Sequence, residues 1–195
     1  MEGEQFTVLV VEDEATHQML IRKALSREGT PFSLVQFTRD SEEAVRFARQ
    51  MAFDVLLVDN RIPGTRGLDL LTELREAGVE APFVLMTSAG SEDLVVEAYR
   101  QKVDDYVIKD SGFWKELPQV LLRVIRTDRA KRRVQELHAR YERTNAKLEK
   151  LNADIQLRNE AIRDKVRALR TAVAALAPAD TAVLTPLVEE IEVLL

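Results

Sequence analysis

The chain has 195 residues, of which 46% are hydrophobic and 31% are charged, and its formal net charge is −5. This length accommodates one packed domain of about 100 to 150 residues together with an extended part. Cysteine is absent, which excludes disulfides, thiolate metal sites and a cysteine nucleophile. No window reaches the roughly 18 apolar residues that span a bilayer, and the N-terminal segment lacks the basic region of a secretory signal. We therefore expect a cytoplasmic protein without a membrane segment.

Glycine and charge divide the chain into unlike parts. All seven glycines lie at or before Gly112, and neither glycine nor proline occurs between Pro118 and Pro178. Residues 1–125 contain 14 Lys+Arg and 22 Asp+Glu, whereas residues 126–170 contain 14 and 7. Because a compact fold needs turn residues, we predict a folded acidic domain followed by a basic helix.

Five short apolar runs alternate with segments of helical period in the first part. The runs are residues 6–11, 32–37, 55–58, 83–86 and 106–108, and the helical segments are 15–27, 42–50, 68–77 and 92–101. Gly29 and Gly78 are placed as helix C-caps, and Pro63 with Gly64 predicts a turn. This alternation predicts an α/β fold, a five-stranded parallel sheet with helices on both faces.

Polar side chains follow four of the predicted strands. Glu12 and Asp13 come after the first strand, Asp59 after the third, Thr87 after the fourth and Lys109 after the fifth. Parallel strands end at the same edge of the sheet, where ligands of such sheets bind. Three neighbouring carboxylates repel one another unless a cation lies between them, and oxygen ligands favour Mg²⁺. We predict a magnesium site that handles a phosphoryl group, with a carboxylate as the nucleophile.

Four motifs carry a family resemblance. They are V-L-V-V-E-D-E, D-V-L-L-V-D-N-R-I-P-G-T-R-G, V-L-M-T-S-A and D-D-Y-V-I-K, at the first, third, fourth and fifth strands. Together they resemble the receiver domains of bacterial two-component response regulators over residues 6–125, which implies the flavodoxin-like fold. The resemblance implies that Asp59 accepts phosphate from a histidine kinase or phosphotransfer protein. It also implies that Glu12 and Asp13 bind Mg²⁺ with Asp59 and the backbone carbonyl of Arg61.

The resemblance assigns the remaining roles as well. Thr87 resembles the hydroxyl that turns towards the phosphoryl oxygen, Lys109 the ammonium that neutralises it, and Tyr106 the aromatic residue whose rotamer follows Thr87. Asp110 is a departure, because most receivers have a proline joined by a cis peptide at this position. A cis bond before a non-proline residue costs about 2.5 to 4 kcal/mol, so we expect a trans peptide.

The second part of the chain carries a heptad pattern. Pro118 is placed in the first turn of a helix that continues from the domain to about residue 176. The heptad stripe consists of Val134, Leu137, Tyr141, Thr144, Leu148, Leu151, Ile155, Asn159, Ile162, Val166, Leu169, Val173 and Leu176. Two successive four-residue steps around Asn159 indicate a stutter. A single helix cannot bury this stripe, so we predict a parallel homodimeric coiled coil, with a different protein as the alternative partner.

These features divide the chain into a receiver domain at 1–125, a coiled-coil helix at 126–176, and a linker with a short helix at 177–195. Acidic residues flank the basic cluster at 129–133, which does not favour nucleic-acid binding. No catalytic motif follows Ile125, so the predicted output is binding rather than a second enzymatic activity, with an unidentified downstream partner. Two alternatives are the regulatory part of a longer kinase, cyclase or phosphatase, and a phosphate-insensitive receiver scaffold.

Overall fold

A computed structural model describes residues 4–88, 92–175 and 184–186 of the chain. Its strands are β1 (Phe6–Val11), β2 (Phe32–Thr38), β3 (Val55–Asp59), β4 (Arg61–Ile62), β5 (Thr65–Arg66), β6 (Phe83–Thr87) and β7 (Asp105–Ile108). Its helices are α1 (Ala15–Leu25), α2 (Ser41–Gln50), α3 (Gly67–Glu76), α4 (Glu92–Arg100) and α5 (Phe113–Ala174). The chain divides into two compact units, Met1–Arg132 and Arg133–Leu195.

A five-stranded parallel sheet lies at the centre of the first unit, with the strand order β2-β1-β3-β6-β7. Alternate residues of β1 enter the two apolar layers of the core. Val8 and Val10 pack with residues of α1 and α5, whereas Leu9 and Val11 pack with residues of α2 and α3. Because both faces are covered, the three inner strands β1, β3 and β6 are mostly apolar and buried, whereas the edge strands β2 and β7 contain exposed residues. The predicted fold class, a five-stranded parallel α/β fold with helices on both faces followed by a long helix, is confirmed.

The glycine predictions have different outcomes. Gly78 follows α3 with a φ of 79°, and its N–H donates to the Arg75 carbonyl, so it ends the helix as predicted. The prediction for Gly29 is wrong, because α1 ends at Leu25 with Ser26 as its C-cap. Gly29, with a φ of 86°, instead lies in the turn closed by the Thr30 N–H and the Arg27 carbonyl.

A two-stranded antiparallel hairpin, β4 with β5, follows the sheet strand β3. The predicted Pro63-Gly64 turn connects its strands, and Gly64 has a φ of 82° that favours glycine at this position. The strands themselves were not predicted, because two residues each are too few to show an alternating pattern.

The last helix of the first unit begins earlier than predicted. α5 starts at Phe113, so Pro118 lies inside the helix rather than in its first turn. Phe113 and Leu117 are both buried in the core, and this burial favours the extra turn despite the N–H that Pro118 lacks. The Gly112 N–H donates to Asp110 Oδ1 at 2.8 Å and forms the turn that precedes the helix.

Two arginines attach the continuation of α5 to other elements of the first unit. Arg129 Nη2 lies 2.7 Å from Asp54 Oδ1, and its guanidinium lies 4.6 Å from the centre of the Phe6 ring. Arg132 Nη2 donates to the Glu80 carbonyl at 2.7 Å. The helix is therefore held against the domain beyond residue 125.

In the second unit, α5 exposes most of the heptad stripe. Leu148, for example, is 53% exposed, whereas Val166 and Val173 are buried. Most of the predicted segment at 177–195 lies outside the described residues, of which 184–186 are helical. Among the described residues, no helix is both long and apolar enough to cross a membrane.

Candidate phosphorylation site

The predicted site residues meet at the carboxyl edge of the parallel sheet. Asp59 is the last residue of β3 and Thr87 the last of β6, while Glu12 and Lys109 directly follow β1 and β7. Glu12, Asp59 and Thr87 are all buried. The parallel register brings the ends of these strands together, because Asp59 pairs with Met86 and Thr87 pairs with Ile108.

Lys109 forms the electrostatic centre of the cluster. Its Nζ lies 2.5 Å from Asp59 Oδ2 and 2.7 Å from Glu12 Oε2, and its side chain is 3% exposed. Burial raises the pKa of Glu12 above its usual value, and the nearby Lys109 ammonium opposes this shift only in part. Two buried carboxylates therefore share one ammonium, which leaves an excess of negative charge.

This negative charge fits a divalent cation. Glu12, Asp13 and Asp59 each offer an oxygen atom, and these atoms all lie within 4.8 Å of one another. Asp13 is exposed, so the cluster has an open side where an ion can keep water ligands. An oxygen-only ligand set with an open side matches the preference of Mg²⁺.

Arg61 contacts the site through a different group from the one expected. Its backbone N–H donates to Asp59 Oδ1 at 3.2 Å, and its guanidinium donates to Ser88 Oγ at 2.5 Å. The first bond orients the Asp59 carboxylate, and the second joins the loops that follow β3 and β6. The metal-binding role of the Arg61 carbonyl stays a prediction.

The loop after β7 is held by backbone bonds. The Lys109 N–H donates to the Thr87 carbonyl at 2.7 Å, and the Asp110 N–H donates to the Ile108 carbonyl at 2.8 Å. No peptide bond among the described residues is cis, so the trans bond expected before Asp110 is confirmed. Tyr106 is 43% exposed on β7, and its switch role stays a prediction.

Sequence reasoning missed His17 and the close approach of Gly67 to Asp59, although it placed Gly67 before the next helix. His17 Nδ1 lies 3.3 Å from Lys109 Nζ, and Gly67 approaches the Asp59 carbonyl so closely that a Cβ at position 67 would lie 2.5 Å from its oxygen. His17 precedes buried Ile21 by one helical turn, a spacing that could have placed it on the inner face of α1. No local signal predicts the close approach at Gly67.

The arrangement defines a class of parallel α/β domain in which the carboxyl edge of the sheet gathers three carboxylates, a hydroxyl and a buried lysine. The family model described as "Response regulator receiver domain" matches residues 8–120. The chain therefore belongs to the response regulator receiver family, and its first unit contains the receiver domain of a two-component response regulator.

Individual relatives agree with this assignment. The two-component response regulator PhoP of Pseudomonas aeruginosa is 36% identical over 106 residues, which are 54% of this chain and 46% of PhoP. The nitrate/nitrite response regulator protein NarP of Escherichia coli is 32% identical over 126 residues, 64% of this chain and 55% of NarP. The chain thus spans about half the length of these curated relatives.

A solved structure is similar as well. The crystal structure of the phosphorylated cyanobacterial phytochrome response regulator RcpA aligns with a TM-score of 0.52 and 25% identity, covering 60% of this chain and 89% of RcpA.

Proposed function

We propose that this protein accepts a phosphoryl group on Asp59 from the phosphohistidine of a histidine kinase or phosphotransfer protein. The observation that carries the proposal is the position of the Asp59 carboxylate, buried at the sheet edge with Lys109 Nζ 2.5 Å from Oδ2. The Arg61 N–H at Oδ1 and the ammonium at Oδ2 fix the orientation of the carboxylate. A fixed nucleophile next to a positive charge is what phosphoryl transfer requires of a protein.

In the proposed reaction, an Asp59 oxygen attacks phosphorus and the phosphorus–nitrogen bond of the phosphohistidine breaks. The electron pair of that bond stays on the imidazole nitrogen, which then takes a proton from solvent. Lys109 faces the negative charge that develops on the phosphoryl oxygens. Mg²⁺ held by Glu12, Asp13 and Asp59 supplies further charge neutralisation when it is bound.

The same proposal gives Thr87 and Tyr106 the role of a switch. Thr87 is buried at the end of β6, the strand that pairs with the Asp59 strand β3, and this position supports a role for its hydroxyl in responding to a phosphoryl group. Tyr106 lies on the neighbouring strand β7 and is half exposed, so a change of its rotamer would alter the protein surface.

The output we propose is binding through α5. We assign residues 1–125 to the receiver and 126–176 to an output helix whose exposed heptad stripe pairs with a second copy in a parallel dimer, in the cytoplasm. Exposed leucines at heptad spacing, such as Leu137 at 55% and Leu151 at 54%, support this assignment. Phosphorylation would then alter the packing of the paired helices and the binding of a downstream protein.

Incubation with acetyl phosphate and Mg²⁺, followed by intact-mass analysis, tests phosphoacceptance. The wild type is expected to gain one phosphoryl group, while Asp59→Asn gains none. Asp69→Asn is the matched control, because Asp69 is an exposed carboxylate on α3 that pairs with Arg66 and not with the cluster. Equal phosphorylation of the wild type and Asp59→Asn, or none of either, would contradict the proposal.

A further inference from the structure

His17 lies in the first turn of α1 and contacts the buried ammonium of Lys109. Its Nδ1 lies 3.3 Å from Lys109 Nζ, 3.0 Å from Glu14 Oε2 and 3.5 Å from Glu12 Oε1. On the other side, the ring packs edge-on against Phe113 of α5, with centroids 5.7 Å apart and an interplanar angle of 90°. The imidazole is therefore held between two helices with Nδ1 towards the site.

The buried ammonium of Lys109 requires hydrogen-bond acceptors from the protein. A lysine ammonium has three N–H donors, and this side chain is only 3% exposed, so water access is minimal. Asp59 Oδ2 and Glu12 Oε2 lie within 2.7 Å of Nζ. Of these two oxygens only Asp59 Oδ2 accepts a hydrogen bond, since Glu12 Oε2 is an ion-pair partner without a hydrogen bond among the described residues. With the imidazole proton on Nε2, His17 Nδ1 is the second acceptor around the amine among the described contacts.

Glu14 competes with Lys109 for the same imidazole nitrogen. The Glu14 side chain is 55% exposed, so water can satisfy its carboxylate. Lys109 has almost no water, and a buried donor without an acceptor is costly. Glu12 Oε1 is the more distant carboxylate oxygen, at 3.5 Å, and it already accepts the Glu14 backbone N–H. The balance therefore favours the bond from Lys109 to His17 over a bond from His17 to either carboxylate.

We propose that His17 is a positioning residue for phosphoryl transfer, which holds the Lys109 ammonium facing Asp59. This inference rests on the proposed function. The lysine stem has four flexible carbons, and two carboxylates do not fix the direction of all three N–H bonds. The imidazole, braced by Phe113, supplies the remaining constraint from the α1 side.

Two substitutions separate this role from packing. Asn at position 17 keeps an acceptor close to the position of Nδ1 but loses the ring that packs on Phe113, whereas Leu keeps apolar packing and loses the acceptor. If His17 positions Lys109, His17→Leu lowers the maximal rate of phosphorylation by acetyl phosphate on the order of tenfold, and His17→Asn restores most of it. The apparent KM for acetyl phosphate stays unchanged.

Two further measurements on the full chain do not depend on phosphorylation. The ¹⁵N signal of the Lys109 ammonium in metal-free protein is expected to be observable in the wild type and in His17→Asn, and to be lost through fast exchange in His17→Leu. Calorimetric titration with Mg²⁺ is expected to give the same affinity for all three proteins, since Glu12, Asp13 and Asp59 are unchanged.

The outcomes distinguish this inference from the proposed function. A wild-type rate in His17→Leu, or a rate in His17→Asn as low as that of His17→Leu, overturns the positioning role while phosphoacceptance by Asp59 stands. If the wild type takes up no phosphate, the proposed function fails and the positioning role fails with it. The ammonium signals then still decide whether His17 accepts a hydrogen bond from Lys109.

Discussion

Glu12 is a fully buried carboxyl group whose pKa is raised, mainly because burial disfavours the charged form. A group whose pKa is raised in the folded state stabilises the protein at pH values below its unfolded-state pKa, here 4.5. This stabilisation is lost as the pH rises through the folded-state pKa. In metal-free protein, Glu12→Gln is therefore expected to be more stable than the wild type at pH 7. The difference should shrink as the pH falls towards 4.5.

Urea unfolding in EDTA at several pH values measures this difference. Glu73→Gln, a change at an exposed carboxyl group of α3, is the control and should show no such pH dependence. Added Mg²⁺ should stabilise the wild type and not Glu12→Gln. A Glu12→Gln variant less stable than the metal-free wild type at pH 7 would show that the ion pair with Lys109 outweighs the cost of burial.

Gly67 allows the start of α3 to lie against the end of β3. A Cβ at this position would lie 2.5 Å from the Asp59 carbonyl oxygen and 2.9 Å from Leu85 Cδ1. Because the nearer atom belongs to the backbone, Gly67→Ala should displace the Asp59 strand end and cost about 1 to 3 kcal/mol of unfolding free energy. Gly112→Ala is the control, since its nearest atom is 3.7 Å away. Equal stability of the two variants would contradict this account.

At residue scale, the sequence predicted only those site residues that end or directly follow an apolar strand. Asp59, Thr87 and Lys109 directly end or follow apolar strands, so their convergence follows from the fold. His17 reaches the cluster from a helix: its spacing to buried Ile21 indicates the inner face of α1, but it does not indicate that the ring contacts Lys109. The contact at Gly67 depends on the distance between two segments, which no local pattern contains.

At the scale of elements, the sheet was predictable because its signal is strong. The inner strands β1, β3 and β6 are apolar runs bounded by polar or turn residues, and β1 matches its predicted range, residues 6–11. The hairpin β4–β5 and the first turn of α5 were missed for physical reasons. The first turn of α5 depends on a tertiary contact, the burial of Phe113, whereas the two-residue strands of the hairpin are too short to show an alternating pattern.

Arg129 provides a test of how firmly the continuation of α5 is attached. It pairs with Asp54 and Glu4 and lies over the Phe6 ring, but its side chain is 44% exposed. Exposed ion pairs and cation–π contacts each contribute up to about 1 kcal/mol. Arg129→Ala should therefore speed hydrogen exchange of amides 126–132 about fivefold, the factor that corresponds to about 1 kcal/mol.

Arg133→Ala is the matched control for this exchange experiment. Arg133 is an exposed arginine four residues further along α5, and it lies in the second compact unit. Its substitution should leave exchange of amides 126–132 unchanged. If Arg129→Ala also leaves it unchanged, packing of residues up to Ile125 is sufficient to hold this part of the helix.

For the whole molecule, the proposed output depends on whether two basic helices can pair. Residues 126–170 contain 14 Lys+Arg and 7 Asp+Glu, so two copies of this segment repel each other. The heptad positions beside the stripe include Arg140 and Lys147, which in a parallel pair face Asn145 and Asn152 rather than acidic residues. The free energy gained by burying the apolar stripe must therefore exceed the electrostatic repulsion between the two helices, and salt screens this repulsion.

We therefore expect the dissociation constant of the dimer to be about threefold lower, or lower still, at 500 mM NaCl than at 50 mM NaCl. The reason is that the Debye length, about 10 Å at 0.1 M salt, shortens as the salt concentration rises, so the repulsion between the two helices weakens. Sedimentation equilibrium of the full chain measures this dependence, with Leu148→Asp as a monomeric control at both salt concentrations. Orientation is tested by Leu137→Cys, since the chain has no other cysteine. A parallel pair brings the two copies of position 137 together and forms a disulfide under oxidation, whereas an antiparallel pair places them apart. A dimer that weakens with salt would require acidic partners across the interface, and a monomer at both salt concentrations would leave the stripe to a different protein.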